Sequence, residues 1–257
     1  MATIHPTALV DARAELADSV EIGPFAVVRG DVKIDEHTRI HSHVVVDDGA
    51  RIGKHCEIFH HAVIASPPQD LKYAGEPTTL EIGDHTVIRE YADLNRGTTS
   101  SCKTSLGSHC LLMAYSHVAH DCNVGDHVIL ANGVQLAGHV TIQDWVIIGG
   151  LTPVHQFCTI GQHAFIGGGF RVVQDVPPYI LAAGEPLAYN GLNAVGLKRR
   201  GFDKEAIRQL RQTYRMVYRS KLNTSQAFER IRNELDLTDI VVNVMTFIEK
   251  SERGIIR

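Results

Sequence analysis

The sequence predicts a mainly β fold, a parallel β-helix of triangular coils closed by a small α-helical domain, and three observations carry the prediction. Every sixth residue from Ile4 to Val172 is Ile, Val or Leu at twenty-six of twenty-nine positions, the exceptions being Asp70, Glu76 and Ser100. A strand repeats every two residues and a helix every 3.6, so a strict six marks a repeat architecture. The fourth residue after each anchor is usually small or β-branched, as in Ala8, Ala14, Val20, Ala26 and Val32. Finally, the pattern ends at Pro177, Pro178, Gly184 and Pro186, after which the composition becomes helical.

Six residues cannot close a turn around a core, but three such units make a triangular coil of eighteen. Stacked coils then pair as parallel strands roughly 4.8 Å apart, so residues eighteen apart lie one above the other. Residues 4–65 form uninterrupted repeat. The stretch 66–80, SPPQDLKYAGEPTTL, breaks it, and the repeat resumes in phase at Ile82. This predicts a loop extruded from the prism, the kind of segment that carries function. A smaller break spans Thr99 to Thr104, and twelve consecutive anchors then hold from Leu106 to Val172. The coil domain is expected at 1–186 and the helical domain at 187–257. In the latter, Asp203 is the expected N-cap of a helix over 204–221. Thr224 or Ser225 is expected to cap a second ending near Leu235, and Thr238 a third ending near Glu252. These helices are expected to cover the open end of the coil.

The chain has 257 residues, 44% hydrophobic, with one Trp and eight Phe, which suits a thin core. A formal charge of −4 gives no global reason to expect nucleic acid. No apolar run is long enough to span a bilayer, and the repeat begins at Ile4 without room for a signal peptide, so a cytoplasmic protein is expected. Five cysteines fit a reducing compartment; Cys56, Cys110, Cys122 and Cys158 occupy the small interior slot, and no C-x-x-C is present. Nine of the fifteen histidines (37, 43, 55, 61, 85, 109, 127, 139 and 163) fall in the fourth slot of the unit, which is expected to point outward.

His117 and His120 depart from that slot and lie three apart in MAYSHVAHDC, with Asp121 adjoining. Eighteen-residue stacking sets Gly138 over His120, His139 over Asp121 and Gln156 over Gly138. A neutral imidazole can take a proton from a hydroxyl, a carboxylate can orient it, and an amide N–H can stabilise a tetrahedral oxyanion. The acyl acceptor itself can attack, so neither a Ser or Cys nucleophile nor a cofactor is required. Arg208, Arg211, Arg215 and Arg219 share one helical face, which reads as a solvated surface or as a dock for phosphate or an acidic partner.

The unit I-G-x-x-[STAV]-x resembles the hexapeptide repeat of left-handed parallel β-helix enzymes, and the left hand is an implication of that likeness. Over essentially the whole length the chain is similar to the UDP-N-acetylglucosamine acyltransferases that begin lipid A synthesis. The likeness rests on QDLKYAGEPT at 69–78, IGDHTVIRE at 82–90, SHVAHDC at 116–122, LAGHV at 136–140, PVHQFC at 153–158, QDVPPY at 174–179 and GLKRRGF at 196–202. The related N-acyltransferases carry an additional N-terminal uridine-binding domain, whereas this chain starts in the coil. The resemblance implies transfer of an (R)-3-hydroxyacyl group from acyl carrier protein to the 3-hydroxyl of UDP-N-acetylglucosamine within a homotrimer whose sites lie between subunits.

By that resemblance His120 is the general base, Asp121 its orienting carboxylate, and the Gly138 N–H the oxyanion donor. Asp70, Lys72, His117, His139, His155 and Gln156 match sugar- and acyl-contacting positions. Asn193, Arg199 and Arg200 match contacts to the nucleotide, Gly168 leaves room for a long acyl chain, and the basic helical face suits the acidic carrier protein. Two departures stand out. D-L-N-R-G-T places Asn95 where the family has a substrate-contacting histidine, and Ala194 and Val195 follow Asn193 where a carboxylate is common. A 3-amino sugar acceptor therefore stays open, as do a scaffold without chemistry and a γ-type carbonic anhydrase. For the last, His55 and His60 have a fitting spacing, but position 19 is Ser and position 122 is Cys, and no metal site is expected.

Overall fold

The computed structural model describes all 257 residues. Short parallel strands of two to four residues wind around three faces. The first face runs from Thr3–Ile4 to Phe165–Ile166, the second from Leu9–Val10 to Pro153–Val154, and the third from Glu15–Leu16 to Thr159–Ile160. Consecutive strands never pair within the coil; each pairs with the strands one turn away. The chain is thus a left-handed parallel β-helix of hexapeptide repeats with four helices at its C-terminal end.

The register explains why the two breaks leave the repeat in phase. Thr3 pairs with Glu21, eighteen residues on. Glu57 pairs with Val87, thirty on, across the first break, and Val87 with Leu111, twenty-four on, across the second. Thirty is eighteen plus two sextets, and twenty-four is eighteen plus one. Each insertion adds whole sextets, so every anchor still points inward, and one continuous core forms from anchors such as Ile34, Ile88 and Leu130. Cys56, Cys110, Cys122 and Cys158 sit in it as free thiols; burial pushes Cys56 and Cys158 up to about 11 and Cys110 and Cys122 up to about 12.

The fourth slot is where each face turns the corner. His37, His55, His85, His109 and His127 all have φ between +55° and +61°. Left-handed backbone costs a non-glycine residue roughly 1–2 kcal/mol. The rings of adjacent turns offset this by stacking face to face at 4.8–4.9 Å, each over the one below. The histidine excess is therefore chiefly a device of the corners, continued on the same edge by Trp145, His163 and Tyr179.

The coil does not end at the prolines. Ile180–Ala183 adds to the first face and turns back antiparallel into Ala188–Leu192, a hairpin the sequence pattern did not reveal. Helices α1 (Ala194–Arg199), α2 (Lys204–Arg219), α3 (Thr224–Glu234) and α4 (Asp239–Lys250) follow. Asp203 caps α2 as expected, accepting from the Ala206 N–H at 2.7 Å. The cap of α3 is Asn223, one residue before the expected Thr224, because Asn223 and Gln226 complete a reciprocal capping box. Thr238 holds the cap position of α4, yet its hydroxyl donates to Gln209 Oε1 of α2 instead. The buried Tyr214 hydroxyl donates to the Pro178 carbonyl and Asn243 donates to the Tyr179 hydroxyl, tying α2 and α4 to the last coil.

Leu130 is fully buried in the middle of the prism. Leu130→Ala is expected to lower unfolding stability by about 2–5 kcal/mol, read from the denaturant midpoint, because flanking ladders hold the cavity open.

Candidate active site

The second edge, where the second face turns toward the third, gathers the chemistry. Asp121 (φ +60°), His139 (φ +62°) and Phe157 (φ +65°) are its corner residues on successive turns. His120 and Gly138 each precede such a corner residue, and the His139 N–H donates to the His120 carbonyl at 3.1 Å. A Cβ built on Gly138 would lie 2.6 Å from His120 Cε1 and 2.8 Å from Nε2. The ring thus rests on the Gly138 backbone, which only glycine permits. The Gly138 N–H has no hydrogen-bond acceptor in the protein, whereas equivalent N–H groups at Ser108 and Asp126 are taken by aspartates of the next turn.

His120 Nδ1 lies 2.8 Å from Asp121 Oδ2. The Asp121 carboxylate is closed from solvent and also accepts from the Thr98 N–H at 3.0 Å, the Thr98 hydroxyl at 2.7 Å and the Ser101 hydroxyl. Burial alone would raise its pKa, but the hydrogen bonds from Ser101, Thr98 and His120 outweigh burial and hold the carboxyl well below the usual carboxylate range. A permanent anion at Nδ1 selects the tautomer with the proton there and leaves Nε2 as a proton acceptor. His139 packs edge-on to His120 at 5.2 Å, with Nε2 3.7 Å from Asp121 Oδ2.

Ligand atoms of His120, Asp121 and His139 fall within 4.8 Å of one another, a spacing a metal ion could use. The carboxylate is already filled by three hydroxyl or N–H donors and an imidazole, so the arrangement is that of a hydrogen-bonded base. His55 and His60 do not converge. His55 is stacked in the third-edge column, while His60 faces Ser42 beside the first edge.

The extruded loop folds back over the second edge. Asp70, Lys72 and Tyr73 join Thr98, His139 and Phe157 around a cleft of about 290 Å³. The Arg96 guanidinium fixes the loop, donating to the Tyr73 hydroxyl at 3.0 Å and to the Ala65 and Asp48 carbonyls. His155 and Gln156 are exposed one turn further along, with His155 Nδ1 3.1 Å from the Gln156 carbonyl oxygen. His117 Nδ1 stands 3.0 Å from Asp93 Oδ2.

Other expected site residues lie elsewhere. Asn95 is fully buried and donates to Ser66 at 2.7 Å, so it does not reach substrate as the motif comparison suggested. Asn193 caps α1, accepting from Gly196 and donating to the His163 carbonyl, so its amide is committed to the fold. Arg199 is exposed. Arg200 lies over Trp145 on the third edge at 5.1 Å, with Nη1 buried and unpartnered. Gly168 belongs to the first edge, where a Cβ would come within 3.0 Å of the Gly150 carbonyl oxygen, so close packing of turns accounts for it. A single chain brings His120, Asp121, Gly138, His139, Gln156, Asp70 and Lys72 to one edge and leaves Arg199, Arg200 and Gly168 on others.

Sequence reasoning missed Thr98, Ser101 and Thr104, whose hydroxyl oxygen accepts from the Asp121 N–H at 2.9 Å. A signal existed: the smaller break at 99–104 falls one turn before Asp121, so its extra sextet supplies these partners.

Comparison with known proteins places the chain in a family. The family profile described as Udp N-acetylglucosamine O-acyltransferase, domain 2, matches residues 175–256, and that of the bacterial transferase hexapeptide matches 13–48 and 103–138. The acyl-[acyl-carrier-protein]--UDP-N-acetylglucosamine O-acyltransferase of Thiobacillus denitrificans is 51% identical, each chain covered in full. That of Aliivibrio fischeri is 50% identical over all of this chain and 98% of its own. Among solved structures, LpxA from Acinetobacter baumannii superposes with a TM-score of 0.96 at 44% identity, over 99% of both chains. The UDP-N-acetylglucosamine acyltransferase of Bacteroides fragilis gives 0.98 at 42% identity, over 99% of this chain and all of its own. With half its residues identical to such relatives from end to end, the chain belongs to the acyl-[acyl-carrier-protein]--UDP-N-acetylglucosamine O-acyltransferase family.

Proposed function

We propose that the protein transfers an (R)-3-hydroxyacyl group from acyl carrier protein to the glucosamine 3-hydroxyl of UDP-N-acetylglucosamine, the first step of lipid A biosynthesis, in the cytoplasm. The observation that carries the mechanism is the His120 ring, held by Asp121 at 2.8 Å and resting on a glycine whose N–H is free. His120 Nε2 takes the proton of the 3-hydroxyl as its oxygen attacks the thioester carbonyl carbon. The carbonyl π electrons move to oxygen, and the Gly138 N–H donates to that oxyanion. The intermediate collapses by breaking the C–S bond, and the imidazolium returns the proton to the departing thiolate. Asp121 stays ionised throughout and stabilises the imidazolium, as an orienting carboxylate does without becoming protonated. Asp70, Lys72, His139, His155 and Gln156 frame the sugar and acyl group.

The site is completed by self-association into a homotrimer. Outward side chains of the third face are polar: Glu15, Lys33, Arg51, Glu81 and Asn123. Those of the second face's first four turns, Leu9, Val27, Val45 and Val63, are apolar, as are Leu111, Ile129, Ile147 and Phe165 on the first face. Such stripes on two faces call for a covering surface, and a neighbouring subunit supplies one while bringing a third-edge Arg199 and Arg200 toward a second-edge His120. The carrier protein docks at α2. There Arg208 is paired with Glu205, but Arg211, Arg215 and Arg219 have no acidic partner and line a cleft of about 330 Å³ with Tyr189 and Leu192.

His120→Ala is expected to reduce kcat by about 10²–10⁴ with the fold and assembly intact, measured with labelled sugar nucleotide and a 3-hydroxyacyl carrier protein. Gly138→Ala is expected to be comparably impaired, because its methyl displaces the ring. Unchanged transfer in both variants would end the mechanism. Replacing Arg211, Arg215 and Arg219 together by Glu is expected to raise the KM for the carrier protein by on the order of tenfold or more while leaving that for the sugar nucleotide unchanged.

A further inference from the structure

The outward column of the second face changes character where the extruded loop leaves the coil. After Leu9, Val27, Val45 and Val63, the next outward residues are Asp93 and His117, paired strand to strand. Asp93 Oδ2 stands 3.0 Å from His117 Nδ1, and Asp93 Oδ1 accepts from the Ser66 hydroxyl at 2.7 Å. Ser66 in turn accepts from the Asn95 amide at 2.7 Å. Gln69 of the loop approaches Oδ2 at 3.5 Å. Burial works against the Asp93 anion, but the His117 and Ser66 hydrogen bonds prevail and its pKa is lowered. His117 Nε2, on the far side of the ring, has no hydrogen-bond partner in the protein, and His117 lies three residues before His120.

Two imidazoles on neighbouring positions, each with Nδ1 on a hydrogen-bonded carboxylate, do not arise from packing alone. A half-buried carboxylate next to a column of valines costs free energy unless it is paired and hydrogen-bonded, and His117 and Ser66 supply both. We infer that Asp93 is a positioning residue for the transfer reaction. It holds His117 as the Nδ1–H tautomer, so that Nε2, on a ring three residues from His120, is left as an acceptor for a hydroxyl of the sugar. Ser66 and the buried Asn95 form the outer support that keeps Asp93 in place. This assigns Asn95 a role without substrate contact: it fixes the group that fixes His117. The inference rests on the reading that the sugar lies at this edge.

The test uses the full-length protein labelled with ¹⁵N at histidine. In the wild type the neutral His117 ring is expected to report its proton on Nδ1 and none on Nε2. Asp93→Ala is expected to leave a mixture of tautomers, and to raise KM for UDP-N-acetylglucosamine by about tenfold with a smaller change in kcat, the size of one hydrogen bond to a charged group. Asp93→Asn, which keeps an acceptor without the charge, is expected to recover part of both. Ser66→Ala is expected to move the same two quantities in the same direction by about threefold, and it decides the matter if Asp93→Ala does not fold. An Asp93→Ala or Ser66→Ala protein that folds with His117 still a single Nδ1–H tautomer and KM unchanged overturns the inference. The tautomer measurement needs no substrate, so it stands apart from the His120→Ala assay: activity surviving loss of His120 would sink the base, not the Asp93–His117 pair.

Discussion

Everything in this molecule depends on the in-register stacking of parallel strands from one turn to the next. Each turn contributes three short rungs, and each rung bonds only to the rungs above and below it. A slip of one residue would turn every anchor on a face outward. The constraint reaches the loops too: the chain leaves the coil twice, and each time it returns after a whole number of sextets, as Glu57 opposite Val87 and Val87 opposite Leu111 record. On both sides of each break the ladder restores the pairing, so the anchors keep pointing inward.

The same constraint builds the site. Because slot three of one turn lies beside slot three of the next, His120 is delivered onto Gly138 without a loop to place it. The turn below holds the inserted sextet, and that is where Thr98 and Ser101 come from to saturate Asp121. Without them less would oppose the rise in pKa that burial imposes, and a protonated Asp121 could not stabilise an imidazolium. The insertion that looks like a flaw in the repeat thus keeps the carboxylate behind His120 ionised.

Much of this was legible beforehand because a repeat converts sequence distance into spatial distance. The period of six, the interior cysteines, the His120–Gly138 contact and the Asp203 cap all follow from counting and local chemistry. What escaped the sequence depends on non-local partners. The hairpin Ile180–Ala183 and Ala188–Leu192 lies among prolines and a glycine and has no sextet pattern; it forms because the top rung of the first face needs a mate. Thr238 could be read as a cap, but only the fold brings Gln209 close enough to claim its hydroxyl. Asn95 could be aligned with a substrate-contacting histidine, yet its position leaves it wholly interior, facing Ser66. The corner histidines looked like a surface excess until their left-handed backbone and continuous stacking gave them a structural role.

Two carboxylates, Asp121 at the second-edge corner and Asp93 on the second face, divide the electrostatic work by how they are enclosed. Asp121 is sealed from solvent by backbone and hydroxyl donors from its own and the preceding turn, so its charge is spent on His120 and, more weakly, on His139. Asp93 is only partly sealed, and its support comes chiefly from Ser66 at the end of the strand one turn before, with Asn95, and Gln69 of the extruded loop, farther off at 3.4 and 3.5 Å. A base needs an environment that does not move during the reaction, and the rigid turn supplies it. On the proposed roles, the difference in enclosure between the two carboxylates is therefore also a division between proton transfer and recognition.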